Sequence, residues 1–400
     1  MGAGVLRFKQ LVSTISIIFI FYASILILLI YFLGSNNGIV GGDIGNTNGI
    51  ANEQTGRIID SISVIFATLT SGGFVPVSTF LTLENVEQLM VVMAGMIIAA
   101  LPFAFHYGIF SREIKARKLG LEIIVYVFLL ILAIIIFTLI EYPFLLSLIS
   151  SNQTTLSNDL SGEKDPAILW ILSAFHVISA STTTGFQFID LSHLSIQGKV
   201  VLIIIMLIGG TAFSTAGGIK IARLIIIFKS LNKRKSLSLT NTLTNTSTSI
   251  SSTPSQFHEK VEMDLENRKN NDKREIKSSM KLSSRMPSSL TYLKLNSSTS
   301  MPNRELKEVL FVITLFITVS FTSAFVIGFL DNRSFIDALF ESASTISNTG
   351  LTIGISTMDL DNISKLVLSL NMVLGRFEII AIFVYFCWCI KKIIILNFIS

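Results

Sequence analysis

Apolar and polar positions alternate along this chain in blocks, not in single steps: long apolar runs are joined by polar loops. A helix that crosses a bilayer needs about 20 mostly apolar residues. Six runs reach that length: 12–33, 88–110, 121–149, 199–228, 307–331 and 363–395. Three other apolar stretches, 58–72, 167–182 and 334–348, are shorter, rich in Ser, Thr and Ala, and lead into a glycine. Half-length segments between full-length ones predict re-entrant hairpins. The order is therefore helix, half-segment, helix, three times over. The run 12–33 is too long for the core of a secretory signal and is followed by more spans, so it reads as a retained helix.

Composition supports a bilayer as solvent. Half of the 400 residues are hydrophobic and 14% are charged, against roughly 25% charged in soluble domains. The two cysteines, Cys387 and Cys389, share one apolar run and offer neither a disulfide framework nor metal-ligand spacing.

The half-segments align without gaps on Gly73, Gly185 and Gly350. Asp60 and Asp337 then both lie thirteen residues before the glycine, and Phe175 and Phe340 ten before it. Phe74, Phe186 and Leu351 follow it directly. The expected division is 1–118, 119–230 and 306–400 as three repeats, with 231–305 as an insert. That insert is rich in Ser, Thr and Asn and nearly without aromatic residues, a composition that predicts a disordered cytoplasmic segment.

Charge sets the expected orientation. Arg7 and Lys9, the cluster Arg112–Lys118, the 229–307 segment and Lys391–Lys392 all fall on one side if each half-segment enters from the other. Loops 34–57 and 150–166 hold only Arg57 and Lys164 against five acidic residues. The positive-inside bias then predicts a multi-pass cell-membrane protein with both termini cytoplasmic. The net charge of +5 reports those loops, not nucleic-acid binding.

Three features carry candidate chemistry. The first is the set Thr70–Ser71–Gly72–Gly73, Thr182–Thr183–Thr184–Gly185 and Ser347–Asn348–Thr349–Gly350. A dehydrated cation needs oxygens in place of its water shell, and backbone carbonyls supply them where glycine permits the angles. The candidate ion-filter residues are Thr70, Ser71, Gly72, Gly73, Thr183, Thr184, Gly185, Asn348, Thr349 and Gly350, which would hold potassium through backbone carbonyls. The second is the break at Gly209, Gly210, Ser214, Thr215, Gly217, Gly218 and Lys220 inside the fourth run. Four glycines there, each costing about 1 kcal/mol against Ala in a helix, predict an interruption at membrane depth, where such breaks mark function. The third is Arg376, in Gly375–Arg376–Phe377–Glu378 of the last run. An intramembrane arginine needs a cavity or a partner and forms an electrostatic barrier in a cation path. His106, His176 and His193 are isolated, and no nucleophile–base pair or metal set is visible, so an enzyme is not expected. Pro102 is expected to kink the second run.

These motifs together, TTTGF, GG…STAGGIK and GRFE, resemble the Trk/Ktr/HKT potassium transporter superfamily, most of all its prokaryotic Trk-type membrane subunits (TrkH/TrkG). The resemblance covers most of the chain outside 231–305. It implies an all-α polytopic membrane protein whose helix–pore loop–helix repeats build a pseudo-fourfold, potassium-channel-like pore. Further implications are K+ as the transported ion with no bound organic cofactor, a gating loop at Gly209–Lys220 near Arg376, a homodimer, and cytosolic nucleotide-binding regulatory subunits. By its motifs the chain holds the family's second, third and fourth repeats. The first is expected on a separate polypeptide or as a truncated repeat. Two other readings stay open: a Na+-selective or non-selective cation channel subunit, and a non-conducting membrane scaffold.

Overall fold

The computed structural model describes residues 2–34, 50–74, 86–111, 117–150, 166–231 and 303–376. These hold only helices and turns, with no strand among them. In chain order they are α1 (Gly2–Gly34), α2 (Ile50–Leu69), α3 (Val86–Ala100), α4 (Phe103–Ser111), α5 (Arg117–Ser150), α6 (Pro166–Ser181) and α7 (Ile196–Ile208). Helix α8 covers 221–231, and α9 (Asn303–Leu330), α10 (Phe335–Ser347) and α11 (Asn362–Arg376) follow. Met1–Ile225 with Val309–Ser400 form one compact unit, and Ile226–Glu308 separates as a second. The predicted disordered insert lies almost wholly outside the described residues.

Among the described residues three helices have the length and apolarity of a membrane span: Ser13–Leu33, Gly120–Ser147 and Leu306–Leu330. Large apolar side chains on them point outward, including Ile17, Phe128, Leu139 and Phe325. An outer surface of this kind is stable against lipid tails and costly against water.

The expected run 88–110 is a pair of helices, α3 and α4, bent by 102°. Pro102 is the cause, since it has no N–H for the Ile98 carbonyl. The Leu101 N–H takes that carbonyl at 3.2 Å, and the His106 ring nitrogen Nε2 lies 3.1 Å from it. The expected run 199–228 is also broken, between α7 and α8. The run 363–395 is described as far as Arg376. Helix α2 begins at Ile50, eight residues before the apolar stretch that announced it. The added turns, Ile50–Arg57, are polar, and an apolar periodicity does not register them.

Packing joins the three groups in sequence. Each short helix, α2, α6 or α10, lies against the helix that leaves its own group, and α6 and α10 also lie against the exit helix of the preceding group, α3 and α7. Phe175 and Phe340, ten residues before their glycines, are both fully buried in the central core with Leu89, Met96 and Leu172. The ends of the short helices are thereby brought together.

Candidate functional site: three helix ends over a glycine loop

Helices α2, α6 and α10 end in the same turn. In each, a residue two before the glycine has a left-handed backbone: Ser71 at φ 49°, Thr183 at 52° and Asn348 at 57°. The glycines follow at φ 65°, 82° and 89° for Gly73, Gly185 and Gly350. Two backbone hydrogen bonds recur. The first runs from Ser71 to Thr68, Thr183 to Ala180 and Asn348 to Thr345 (3.2, 3.3 and 3.1 Å). The second runs from Gly72 to Ala67, Thr184 to Ser179 and Thr349 to Ser344 (2.8, 3.0 and 2.8 Å). This pair defines a Schellman end, which satisfies last-turn carbonyls and turns the chain sharply away from the helix axis. Asn tolerates the left-handed region, whereas Ser and Thr pay about 1–2 kcal/mol for it, so surrounding contacts must hold Ser71 and Thr183 there.

The turns face one another glycine to carbonyl. A side-chain carbon on Gly73 would stand 2.1 Å from the Thr184 oxygen, and one on Gly185 would stand 1.9 Å from the Thr349 oxygen. Only glycine allows either approach. On Gly350 the same position has no atom within 4 Å among the described residues. Behind the carbonyls, hydroxyls pair within a strand: Thr182 with Thr184 at 2.8 Å, and Ser347 with Thr349 at 2.6 Å. The first strand has Gly72 in place of the second hydroxyl, and Thr70 instead donates to the Phe66 carbonyl at 2.7 Å.

The helix break forms a loop beneath these turns. Gly209 and Gly218, both at positive φ (56° and 69°), close its mouth. A carbon added to Gly209 would lie 2.1 Å from the Gly217 oxygen, and Ile219 N–H reaches back to the Leu207 carbonyl at 2.8 Å. The loop touches all three left-handed turns. Ser71 Oγ donates to the Thr215 carbonyl at 2.9 Å. Gly217 N–H donates to Thr183 Oγ1 at 2.6 Å, and a carbon on Gly217 would meet the Ser347 oxygen at 2.0 Å. Its other edge is tied to the kink. Thr211 and Thr215 hydroxyls donate to the Ala100 and Ala99 carbonyls at 2.6 and 2.9 Å. Ser214 Oγ donates within the loop to Thr211 O, and Lys220 Nζ to Ala216 O. Gly210 packs on the Ala216 methyl.

Helix α11 reaches the same place. A carbon on Gly375 would lie 1.9 Å from the Ile346 oxygen, next in sequence to the Ser347 oxygen that Gly217 approaches. Arg376 follows and is exposed; it has no ion-pair partner among the described residues. Phe377 and Glu378 lie outside them.

A profile of the TrkH family, described as a cation transport protein, matches residues 5–391. The chain belongs to the TrkH family. It is 26% identical over 214 residues to the uncharacterized cation transporter MJ1485 of Methanocaldococcus jannaschii, covering 54% of this chain and 35% of that one. It is 24% identical over 176 residues to the Trk system potassium uptake protein TrkH of Salmonella typhimurium, covering 44% and 33%. The chain thus spans about a third of each of these relatives. The crystal structure of the potassium transporter TrkH from Vibrio parahaemolyticus shares its fold, with a TM-score of 0.56 at 17% identity over 92% of this chain and 70% of that one. The TrkH family is one of membrane ion transporters and not of enzymes. Among the described residues no group of three His, Cys, Asp or Glu side chains can hold a metal ion.

Sequence reasoning missed three carboxylates of this TrkH-family chain, Glu122, Glu141 and Glu341, and the ion pair of a fourth, Asp337. Glu122 on α5 accepts from the loop's Ala212 N–H at 2.5 Å. Glu141, also on α5, accepts from Ser195 N–H at 3.1 Å at the start of α7 and from the Ser195 hydroxyl. Asp337, noticed only for its register, receives Lys199 Nζ at 2.7 Å, which ties α7 to the first turn of α10. Glu341 holds the strand after Gly350. Charge within a membrane-spanning segment marks function by default, a signal that Glu122 and Glu141 carry as much as Arg376 does.

Proposed function

We propose that this chain is the pore-forming subunit of a Trk-type potassium uptake system. In this reading, Thr70–Gly73, Thr182–Gly185 and Ser347–Gly350 are filter walls and Gly209–Lys220 is an intramembrane gate. One observation carries the reading: three turns share one backbone, and each of the first two glycines faces the carbonyl before the glycine of the next. Backbone oxygens so arranged replace the water shell of K+. The C-terminal ends of α2, α6 and α10 also point their negative dipole ends at that position, which favours a cation. The loop contacts all three walls, which supports its reading as a barrier next to the filter.

The space beside Gly350, empty among the described residues, leaves room for a further helix–pore loop–helix unit supplied by a separate polypeptide. A homodimer, cytosolic nucleotide-binding regulatory subunits and cytoplasmic termini complete the proposal. The experiment is K+/Na+ flux into cells deficient in K+ uptake that express the whole transport system. Serine at Gly73, Gly185 or Gly350 should lower the ratio, because each glycine sits at a positive φ that a side chain strains and the first two lack room for a side-chain carbon. Three serine variants with the parent ratio would refute the filter assignment.

A further inference from the structure

The strand that leaves each filter glycine needs something to hold it, since irregular backbone at membrane depth has no lipid partner. In the second and third groups the holder is a buried polar side chain nine residues before the glycine. In the second it is His176. Its Nδ1 lies 2.7 Å from the Leu172 carbonyl, to which it donates. That fixes the neutral tautomer and leaves Nε2 as an acceptor. Nε2 receives the N–H groups of Phe188 at 3.2 Å and Ile189 at 3.4 Å. In the third group it is Glu341. Its Oε1 receives the Thr352 hydroxyl at 2.6 Å and the Ile353 N–H at 3.0 Å, and its Oε2 receives the Ser356 hydroxyl at 2.9 Å. Phe188 and Ile353 both lie three residues after their glycines, so the two clamps act on the same backbone position.

A second tier repeats the device six residues before the glycine. Ser179 Oγ donates to the Phe186 carbonyl at 2.7 Å, and Ser344 Oγ accepts from Gly350 N–H at 3.1 Å. The two strands are also joined across the mouth, where the Gln187 side chain accepts from Thr352 N–H at 3.3 Å. The first group has neither tier: Val64 and Ala67 stand at the two positions. Its counterpart of Phe188 and Ile353 is Pro76, which has no N–H to offer. Acceptor and donor are missing together.

We infer that His176 and Glu341 are positioning residues that set the ion discrimination of the second and third filter walls. Each acts through the strand it clamps and not by touching the ion. A carbonyl ring discriminates between cations only while its oxygens keep their spacing and number. A strand freed at its third residue lets the carbonyls beside the glycine turn away. The inference rests on the filter reading proposed above.

The test separates the two. Hydrogen exchange on the full chain in nanodiscs reads the clamps without any transport. In His176→Leu, peptides covering 186–190 should exchange about tenfold or more faster, as expected for loss of a buried hydrogen-bond acceptor, with 351–356 unchanged. Glu341→Leu should do the reverse. His176→Gln and Glu341→Gln each leave an acceptor atom at the position and should keep parent protection. In cells expressing the whole system, both Leu variants should lower the K+/Na+ flux ratio and both Gln variants should retain it. If a Leu variant cannot be recovered folded, Thr352→Val removes one donor from the strand side and should speed exchange at 351–356. Leu variants with parent exchange overturn the clamp. Faster exchange with an unchanged flux ratio overturns its role in discrimination and also weighs against the filter reading if the glycine variants are silent as well.

Discussion

The loop at Gly209–Lys220 is held to the kinked helix by two threonines, and removing their hydroxyls weakens that contact with little change of shape. In Thr211→Val and Thr215→Val a methyl replaces the hydroxyl that donates to Ala100 or Ala99 at 2.6 or 2.9 Å. The carbonyls are not orphaned, because the backbone N–H groups of Thr211 and Thr215 also reach them, each at 3.3 Å. The loss per site is therefore the net worth of one hydrogen bond, about 0.5–1.5 kcal/mol. Both together amount to about 1–3 kcal/mol, a shift of roughly 5–150-fold between two states. If the loop closes the path while docked on α3, the double variant should raise basal Rb+ uptake within that range, up to the ceiling set by a fully open gate. The assay is uptake into membrane vesicles carrying the whole transport system, normalised to protein in the membrane. Thr215→Ser keeps the hydroxyl and should behave as the parent. Parent-level or lower uptake in the double variant would refute the reasoning, as would a Ser variant as leaky as the Val one.

If the loop and Arg376 form one barrier, Arg376→Ala and deletion within 211–216 should each raise basal K+ flux, and their combination should do no more than the larger single change; additive effects in the same uptake assay would separate arginine from loop. Gly198→Ala should invert the usual helix rule. Replacing a helical Gly by Ala normally gains about 1 kcal/mol, but here the new carbon would lie 1.9 Å from Glu141 Oε1. The thermal unfolding temperature in detergent should fall, and a rise would show that Glu141 does not cap α7.

Much of this site is local chemistry and was legible residue by residue. Gly73, Gly185 and Gly350 could be aligned from sequence because each takes a positive φ that glycine adopts without strain, whereas the left-handed residue of each Schellman end is Ser71, Thr183 or Asn348. The loop was legible for the same reason: Gly209, Gly210, Gly217 and Gly218 cannot continue a helix without cost. Pro102 announced the bend between α3 and α4 because its missing N–H is a property of the residue alone.

The partners of buried polar groups were not legible, because sequence separation says nothing about which atoms packing brings within 3 Å. Ser71 and Thr183 carry no local sign of a left-handed backbone; contacts with Thr215 and Gly217, 144 and 34 residues away, accompany it. Glu122 and Glu141 find their donors 90 and 54 residues away. Which carbonyls Gly73 and Gly185 face follows from the packing of α3 on α6 and α7 on α10. Sequence determined where the chain turns, since backbone angles are set by neighbouring residues. Tertiary structure decided what each turn faces, since a buried donor or acceptor must be satisfied by whatever the packing of distant helices delivers to it.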